Sequence, residues 1–451
     1  MNHWSQDAVF YHIYPLGLCG APQRNDLSGP PNPRMAELHD WISHMHKLGV
    51  SALYLGPLFE SSAHGYDTAD YYHVDRRLGN NQTLVDLSAA LHAAGIRLIL
   101  DGVFNHVGRD FWAFRDLLAN GEGSPYRDWF VGVDFTRRSP CGDPFSYTGW
   151  NSNYDLVKLN LGNPAVREHL FGAVRMWFEQ FAIDGLRLDV AEEIDPAFLR
   201  DLAAFCKSIR PDAWLLGEQV HGDYRRLTDG AHLDSATNYE LYKGLYSSHN
   251  DANYFELAYA LNREFGPAGI YRGLPLYSFA DNHDVARVAS LLRDPRHLYP
   301  LYALLLTAPG VPSIYYGSEW GIGGVKGADD WPLRPRLTLA EAERDALHPD
   351  LPAVIAQLAA LRHATPALRR GDYTQLHVAH EQLAFARRLD GQVAIVAVNA
   401  AATPCRLDLR VDLPDGGALS DALAPGRTVI VRGGQIALEV PPCWATVLVS
   451  P

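Results

Sequence analysis

Apolar positions along the chain switch repeatedly between two periods. The stretches "AVFYHIYPL" (8–16), "VSALYLGPL" (50–58) and "IRLILDGVF" (96–104) are apolar runs of strand length. Between them, "MAELHDWISHMHKLG" (35–49) and "TLVDLSAALHAAG" (83–95) carry apolar residues at helical spacing, and each stops at a glycine. A long segment follows, roughly 107–161, rich in Gly, Pro, Trp, Phe and Tyr. The alternation then resumes with a helix over 163–181, Pro in its first turn, and a fourth strand in "FAIDGLRLDVAEE" (181–193). Helices over 196–209, 253–266 and 297–310 separate strands over 213–219, near 232–237, over 274–284 and over 311–319.

Eight strand–helix repeats in this length predict an α/β fold, a closed (β/α)8 TIM barrel. A doubly wound sheet would need a Gly-rich phosphate turn after the first strand, and "IYPLGLCGAP" is a poor one. From about 370 short alternating strands separated by Gly, Pro and Asp turns predict a C-terminal antiparallel β-sandwich. The expected organisation is therefore a barrel over 1–106 and 162–369, an inserted domain over 107–161 after the third strand, and a sandwich domain over 370–451.

The fourth strand breaks the burial pattern. Leu186, Leu188 and Val190 alternate as one apolar face, while Arg187 and Asp189 share the other. A solvated edge strand would explain the pair, but a barrel offers another reading. Catalytic groups in such barrels project from the C-terminal strand ends. Those ends supply Asp101, Asn105 and His106 after strand three, Arg187 and Asp189 on strand four, Glu218 after strand five, and His283 and Asp284 after strand seven. The loop after strand two adds His64, Tyr66, Asp67 and Asp70. Acids from strands four, five and seven would converge on one mouth. Such a set suits glycoside cleavage: one carboxylate attacks the anomeric carbon, a second protonates the leaving oxygen, and a third stabilises positive charge. Arg187 is expected to keep Asp189 ionised.

Composition narrows the partners. The chain has 451 residues with 39 Lys+Arg against 52 Asp+Glu, a formal charge of −13, which argues against nucleic acid and anionic membranes. The 10 Trp and 22 Tyr supply flat amphipathic rings that stack on sugars. Five widely spaced cysteines, with no CxxC, predict neither a disulfide framework nor a zinc site and favour a reducing compartment. No signal peptide or membrane span is visible, so a cytoplasmic location is expected. The "HMH" at 44–46 lies in a helical pattern whose i and i+2 positions diverge, which argues against metal binding.

With these residues in view, the chain resembles the alpha-amylase family (glycoside hydrolase family 13). The segments "DGVFNH", "GLRLDVAEE", "GEQV" and "ADNHD" occur in the family's order, and "LVKLN" (156–160) resembles a further family segment near the end of its inserted domain. The resemblance implies Asp189 as nucleophile, Glu218 as acid/base and Asp284 as transition-state stabiliser. It implies that Tyr66, His106, Arg187 and His283 hold the reacting sugar ring. Asp67 and His221 are further substrate-binding candidates. Asn105 matches a residue that is often a calcium ligand in the family, yet no aspartate partner for it is evident in 107–161, so no cofactor is expected to be required. "SSAHGYDTADYYHVD", "LVKLN" and "FRDLLANGEGSPYRDWF" (114–130) are most similar to the cyclomaltodextrinase, neopullulanase and maltogenic amylase branch. That branch usually carries an N-terminal β-domain that builds its dimer, whereas here the barrel starts by about residue 8, so a monomer with a more open cleft is expected. The implied activity is retaining hydrolysis of α-1,4-glucosidic bonds in maltodextrins, extending to cyclodextrins and pullulan. The alternative is a transglycosylase of the same family that moves glucosyl or maltosyl units to another sugar. A catalytically dead binding subunit should lack one of the three acids, and all three are present.

Overall fold

A computed structural model describes residues 3–450. Eight parallel strands form its centre: β1 Phe10–Ile13, β2 Ala52–Leu55, β3 Arg97–Gly102, β4 Gly185–Leu188, β5 Trp214–Gly217, β6 Ser235–Ala236, β7 Tyr277–Phe279 and β8 Val311–Tyr315. Their order is β6-β5-β4-β3-β2-β1-β8-β7. A parallel bridge between Thr237 and Tyr277 joins the two ends and closes the barrel.

The two-residue period of the strands sorts their side chains. Phe10, Tyr54, Ile99, Trp214, Leu216, Tyr277, Phe279 and Val311 pack together inside the barrel. The alternate residues, among them Tyr11, Leu53, Leu98, Leu100, Leu186, Leu188 and Leu215, join the larger core against the helices. Helix Pro164–Gln180 is typical of that outer layer. Asn163 caps it by accepting from the Ala165 amide at 2.9 Å, and Pro164 sits where no intrahelical donor is needed. Val166, Leu170, Ala173, Val174 and Trp177 form its buried stripe. The first residue of β4, Gly185, has to be glycine because a Cβ there would lie 2.0 Å from the Trp214 carbonyl on β5.

Two excursions rise above the strand ends. After β2, a hairpin pairs Phe59–Ser61 with Thr68–Val74. After β3, a three-stranded sheet joins His106–Gly108, Asn153–Lys158 and Gly149–Trp150. Beyond the barrel lie β9 Asp372–Val378, β10 Gln382–Leu389, β11 Gln392–Asn399, β12 Cys405–Arg410, β13 Ala418–Asp421, β14 Thr428–Ile430, β15 Gln435–Val440 and β16 Trp444–Val449. They form an antiparallel sheet β9-β10-β11-β16-β13-β14 and a facing pair β12-β15. The space between holds its own core of Ile395, Leu407, Leu409, Ile436, Leu438 and Leu448.

The sequence pattern places the strands well and their ends less well. The fourth strand stops at Leu188, two residues before Val190. Val190 turns out of it at a φ of 40°, a left-handed conformation that is costly for a β-branched residue. The helices Tyr239–Asn250 and Leu351–Ala364 were not anticipated from the apolar period.

Candidate active site

Strand parity aims the polar groups at one mouth. On β3 the inward set continues from Ile99 to Asp101, on β4 from Gly185 to Arg187 and then Asp189, and on β5 from Trp214 and Leu216 to Glu218. Arg187 is 3% exposed and is the hub. Its Nη1 donates to Asp189 Oδ1 at 2.9 Å and to Asp101 at 3.1 and 3.2 Å, and its Nη2 lies 2.7 Å from Glu218 Oε1. Glu218 Oε2 accepts from the Val190 amide at 2.8 Å, so the strained turn at Val190 presents that donor to it. Asp101 also accepts from Tyr54 at 2.7 Å and Tyr66 at 3.2 Å, which fixes its place beside the guanidinium.

The opposite wall is built on His283 and Asp284. His283 Nε2 meets the Tyr66 hydroxyl and lies 3.0 Å from Asp284 Oδ2. The Tyr66 and His283 rings stack at 5.6 Å, and Tyr14 stacks on the far side of His283 at 5.8 Å. Arg334 donates to Asp284 Oδ1 and to the His283 carbonyl, both at 2.9 Å. His106 Nε2 lies 3.9 Å from Asp189 Oδ2. The Asn105 amide donates to His106 Nδ1 at 3.2 Å, which leaves the ring proton on Nε2, the buried nitrogen without a protein partner. Burial pushes the His106 imidazolium down to about 3, so the ring is neutral. Trp150 of the insertion stacks on it at 5.5 Å.

Burial sets the protonation of the acids. It raises the Asp189 carboxyl well above the ordinary carboxylate range; Arg187 opposes this, and the charges of Glu218, Asp101 and Asp284 add to it. Glu218 is raised in the same way by burial, against Arg187. One guanidinium shared among three carboxylates therefore does not hold Asp189 ionised by itself, which corrects the simpler expectation from their i, i+2 spacing. Asp284 behaves differently: burial pushes its carboxyl up, but His283, then Arg334 and Arg187, pull it well below the ordinary range. The mouth thus holds a close pair with a high proton affinity beside one firmly ionised carboxylate.

The remaining sequence candidates separate into groups. Asp67 accepts from the His64 and Gly65 amides at 3.0 and 3.1 Å, bracing the loop that carries Tyr66. His221 is exposed and touches none of the acids; it lines a cavity of about 870 Å3 on the β5 side of the mouth, with Tyr239, Tyr242, Tyr246, Tyr259 and Val285. Asn105 faces a space lined by two cations, Lys158 and Arg167, and by Asn160, Glu193 and Asp195, and its own amide donates to His106. His44 of "HMH" is buried against Glu319 at 2.8 Å, whereas His46 is exposed. Trp320 stacks on His44 away from the mouth.

A comparison with known families matches the catalytic-domain model of alpha amylase to residues 35–347, more than half of the chain. The chain belongs to the alpha-amylase family. It is an alpha-amylase-family glycosidase, and its relatives cluster in one branch. It is 33% identical to neopullulanase 2 of Thermoactinomyces vulgaris over 475 residues, covering 99% of this chain and 78% of the relative. It is 32% identical to a cyclomaltodextrinase of a Bacillus species over 419 residues, covering 88% and 73%. Among solved structures, the ligand-free cyclic alpha-maltosyl-(1→6)-maltose hydrolase of Arthrobacter globiformis superposes with a TM-score of 0.83 at 28% identity, over 99% of both chains.

The sequence reading missed Arg334, Tyr14 and Tyr54 of this glycosidase. Arg334 sits in "DDWPLRPR", far along the chain from Asp284, with no local period to mark it. Tyr14 and Tyr54 continue the inward parity of β1 and β2, and that parity was the available signal.

Proposed function

We propose that this alpha-amylase-family enzyme is a retaining glycosidase acting on α-1,4-glucosidic bonds of maltodextrins, cyclodextrins and pullulan. The observation that carries the reading is the single guanidinium bridging Asp189 and Glu218. A bridged pair suits the separation of about 5–5.5 Å used for double displacement, rather than the wider gap that admits a water between the carboxylates. Asp189 attacks the anomeric carbon while Glu218 gives its proton to the departing glycosidic oxygen. Asp284, kept ionised by His283 and Arg334, faces the oxocarbenium-like centre. Glu218, now a carboxylate, then takes a proton from the incoming water as the ester to Asp189 is broken. Tyr66, His106, Arg187 and His283 hold the sugar ring, with the neutral His106 offering its Nε2 proton.

Substrates are malto-oligosaccharides, and the five free cysteines favour a reducing cytoplasm. A second reading, transfer to a sugar acceptor, draws support from the tyrosine-lined cavity beside His221, which has room for an acceptor. Product time courses on maltotriose, β-cyclodextrin, pullulan and starch separate the two. Shorter products throughout support hydrolysis, and dominant longer oligosaccharides from concentrated maltotriose contradict it.

The acid pair also predicts the pH profile. The proposed roles require one proton on the pair for kcat/KM, and both carboxyls have raised proton affinity. Activity is expected to fall on the acid side as the pair takes a second proton, and on the alkaline side as it loses the last. Both limbs lie above the ordinary carboxylate range of about 4. Asp284 contributes no limb there, because it stays ionised. In Glu218→Gln, assayed with an activated glycosyl fluoride that needs no acid, the alkaline limb should vanish; its persistence would contradict the assignment.

A further inference from the structure

An acidic chain gathers an excess of arginine at one place far from the mouth. At the N-terminal ends of β7 and β8, where the barrel meets the C-terminal sheet domain, lie Arg272, Arg362, Arg369, Arg370 and Arg387. Their carboxylate partners are two. Asp7 holds both Arg369 and Arg370, and Asp372 holds Arg272 at 2.8 Å. Arg362 and Arg387 are 0% and 1% exposed and have no carboxylate partner. Arg387 donates only to carbonyls, at 2.7 Å to Thr307 and 2.9 Å to Gly371, and Arg362 donates to those of Leu306 and Leu368 at 3.1 Å. Burial pulls both proton affinities down, helped by the Arg369 guanidinium at Arg362 and by the Arg362 guanidinium at Arg387, the sign of charge that lacks a counterion.

The same place contains a cavity of about 80 Å3 lined by Arg369, Arg370, Arg387, Tyr373 and the backbone of Gly310 and Gly371. A single water needs roughly 10–15 Å3 of such space, so a tetrahedral oxyanion of five heavy atoms fits. Two buried donors in the lining have no protein partner: the Tyr373 hydroxyl, on a residue 2% exposed, and Arg369 Nε. Buried polar groups without partners call for an ion or water, and here the excess charge selects an anion.

We propose that this closed end of the barrel binds a phosphate-type tetrahedral oxyanion, held by Arg387, Arg369 and the Tyr373 hydroxyl. Its place accounts for its role. Bound there, the anion ties β9 and β10 of the sheet domain to the segments entering β7 and β8, and it does not compete with substrate at the opposite end of the strands.

Titration calorimetry of the full-length enzyme with inorganic phosphate tests this. One saturable site per chain is expected, with sulfate binding comparably and chloride more weakly. Phosphate should also raise the melting temperature saturably by about 2 °C or more, with KM for maltodextrin unchanged. Tyr373→Phe should weaken phosphate by about tenfold, and Arg369→Gln serves if that variant folds poorly. Arg296→Gln, at an exposed arginine paired with Asp294, should bind like the wild type. Absence of saturable binding by the wild type, or equal affinity in Tyr373→Phe and Arg369→Gln, would overturn the proposal.

Discussion

Asp189→Ala should lower kcat on maltodextrin by about 10^4-fold or more, since the proposed mechanism has Asp189 form the covalent intermediate. Folding should survive the change. Asp189 is one of four carboxylates, with Asp101, Glu218 and Asp284, that share Arg187 and Arg334. Removing it relieves repulsion and leaves Arg187 with two partners. The variant is therefore expected to melt at or above the wild-type temperature. Circular dichroism melts beside initial rates check both halves. Near-full activity would remove Asp189 from the nucleophile's role, and a collapsed melt would make it a structural anchor instead.

Arg187→Met should have the opposite balance, a large loss of stability as well as of activity. The guanidinium is buried and is the contact common to Asp101, Asp189 and Glu218. Without it, three carboxylates face one another where little solvent screens them. Breaking a buried ion pair in this way costs about 3–5 kcal/mol. Arg187→Lys should rescue little, because one ammonium cannot present separate nitrogens to separate carboxylates. The pH dependence gives the sign. Loss of the cation raises the proton affinity of Asp189 and Glu218 further above their unfolded values. The folded variant then holds protons that the unfolded chain releases, so its stability is greater near pH 5 and is lost as pH rises through the raised folded values. Urea unfolding at pH 5 and pH 8 reads this directly; a variant as stable as wild type at pH 8 would contradict the hub assignment.

Much of this was legible in the residues. The eight apolar runs announced the barrel because a parallel strand covered on both faces must be apolar. The opposed parity of Leu186 and Leu188 against Arg187 announced the mouth, and the inward position of Arg187 follows from that period alone. Three kinds of feature were not legible. The strand end at Leu188 depends on the left-handed turn at Val190, which no β-branched residue advertises. Arg334 reaches Asp284 from 50 positions along the chain, so only the folded topology pairs them. The proton affinity of Asp189 depends on how many carboxylates share Arg187, and Asp101 and Glu218 come to it from neighbouring strands. Spacing along one strand reveals an attraction but not the competition for it.

The central claim is that Asp189 carries the sugar between the two steps. Glu218→Gln provides the test, since it removes the base that activates water for the second step. Treated with an α-maltosyl fluoride, whose leaving group needs no acid, this variant should accumulate the intermediate. Mass spectrometry of its peptides should find one glycosyl unit on the peptide containing Asp189. No adduct, or one located on the peptides of Glu218 or Asp284 instead, would contradict the account.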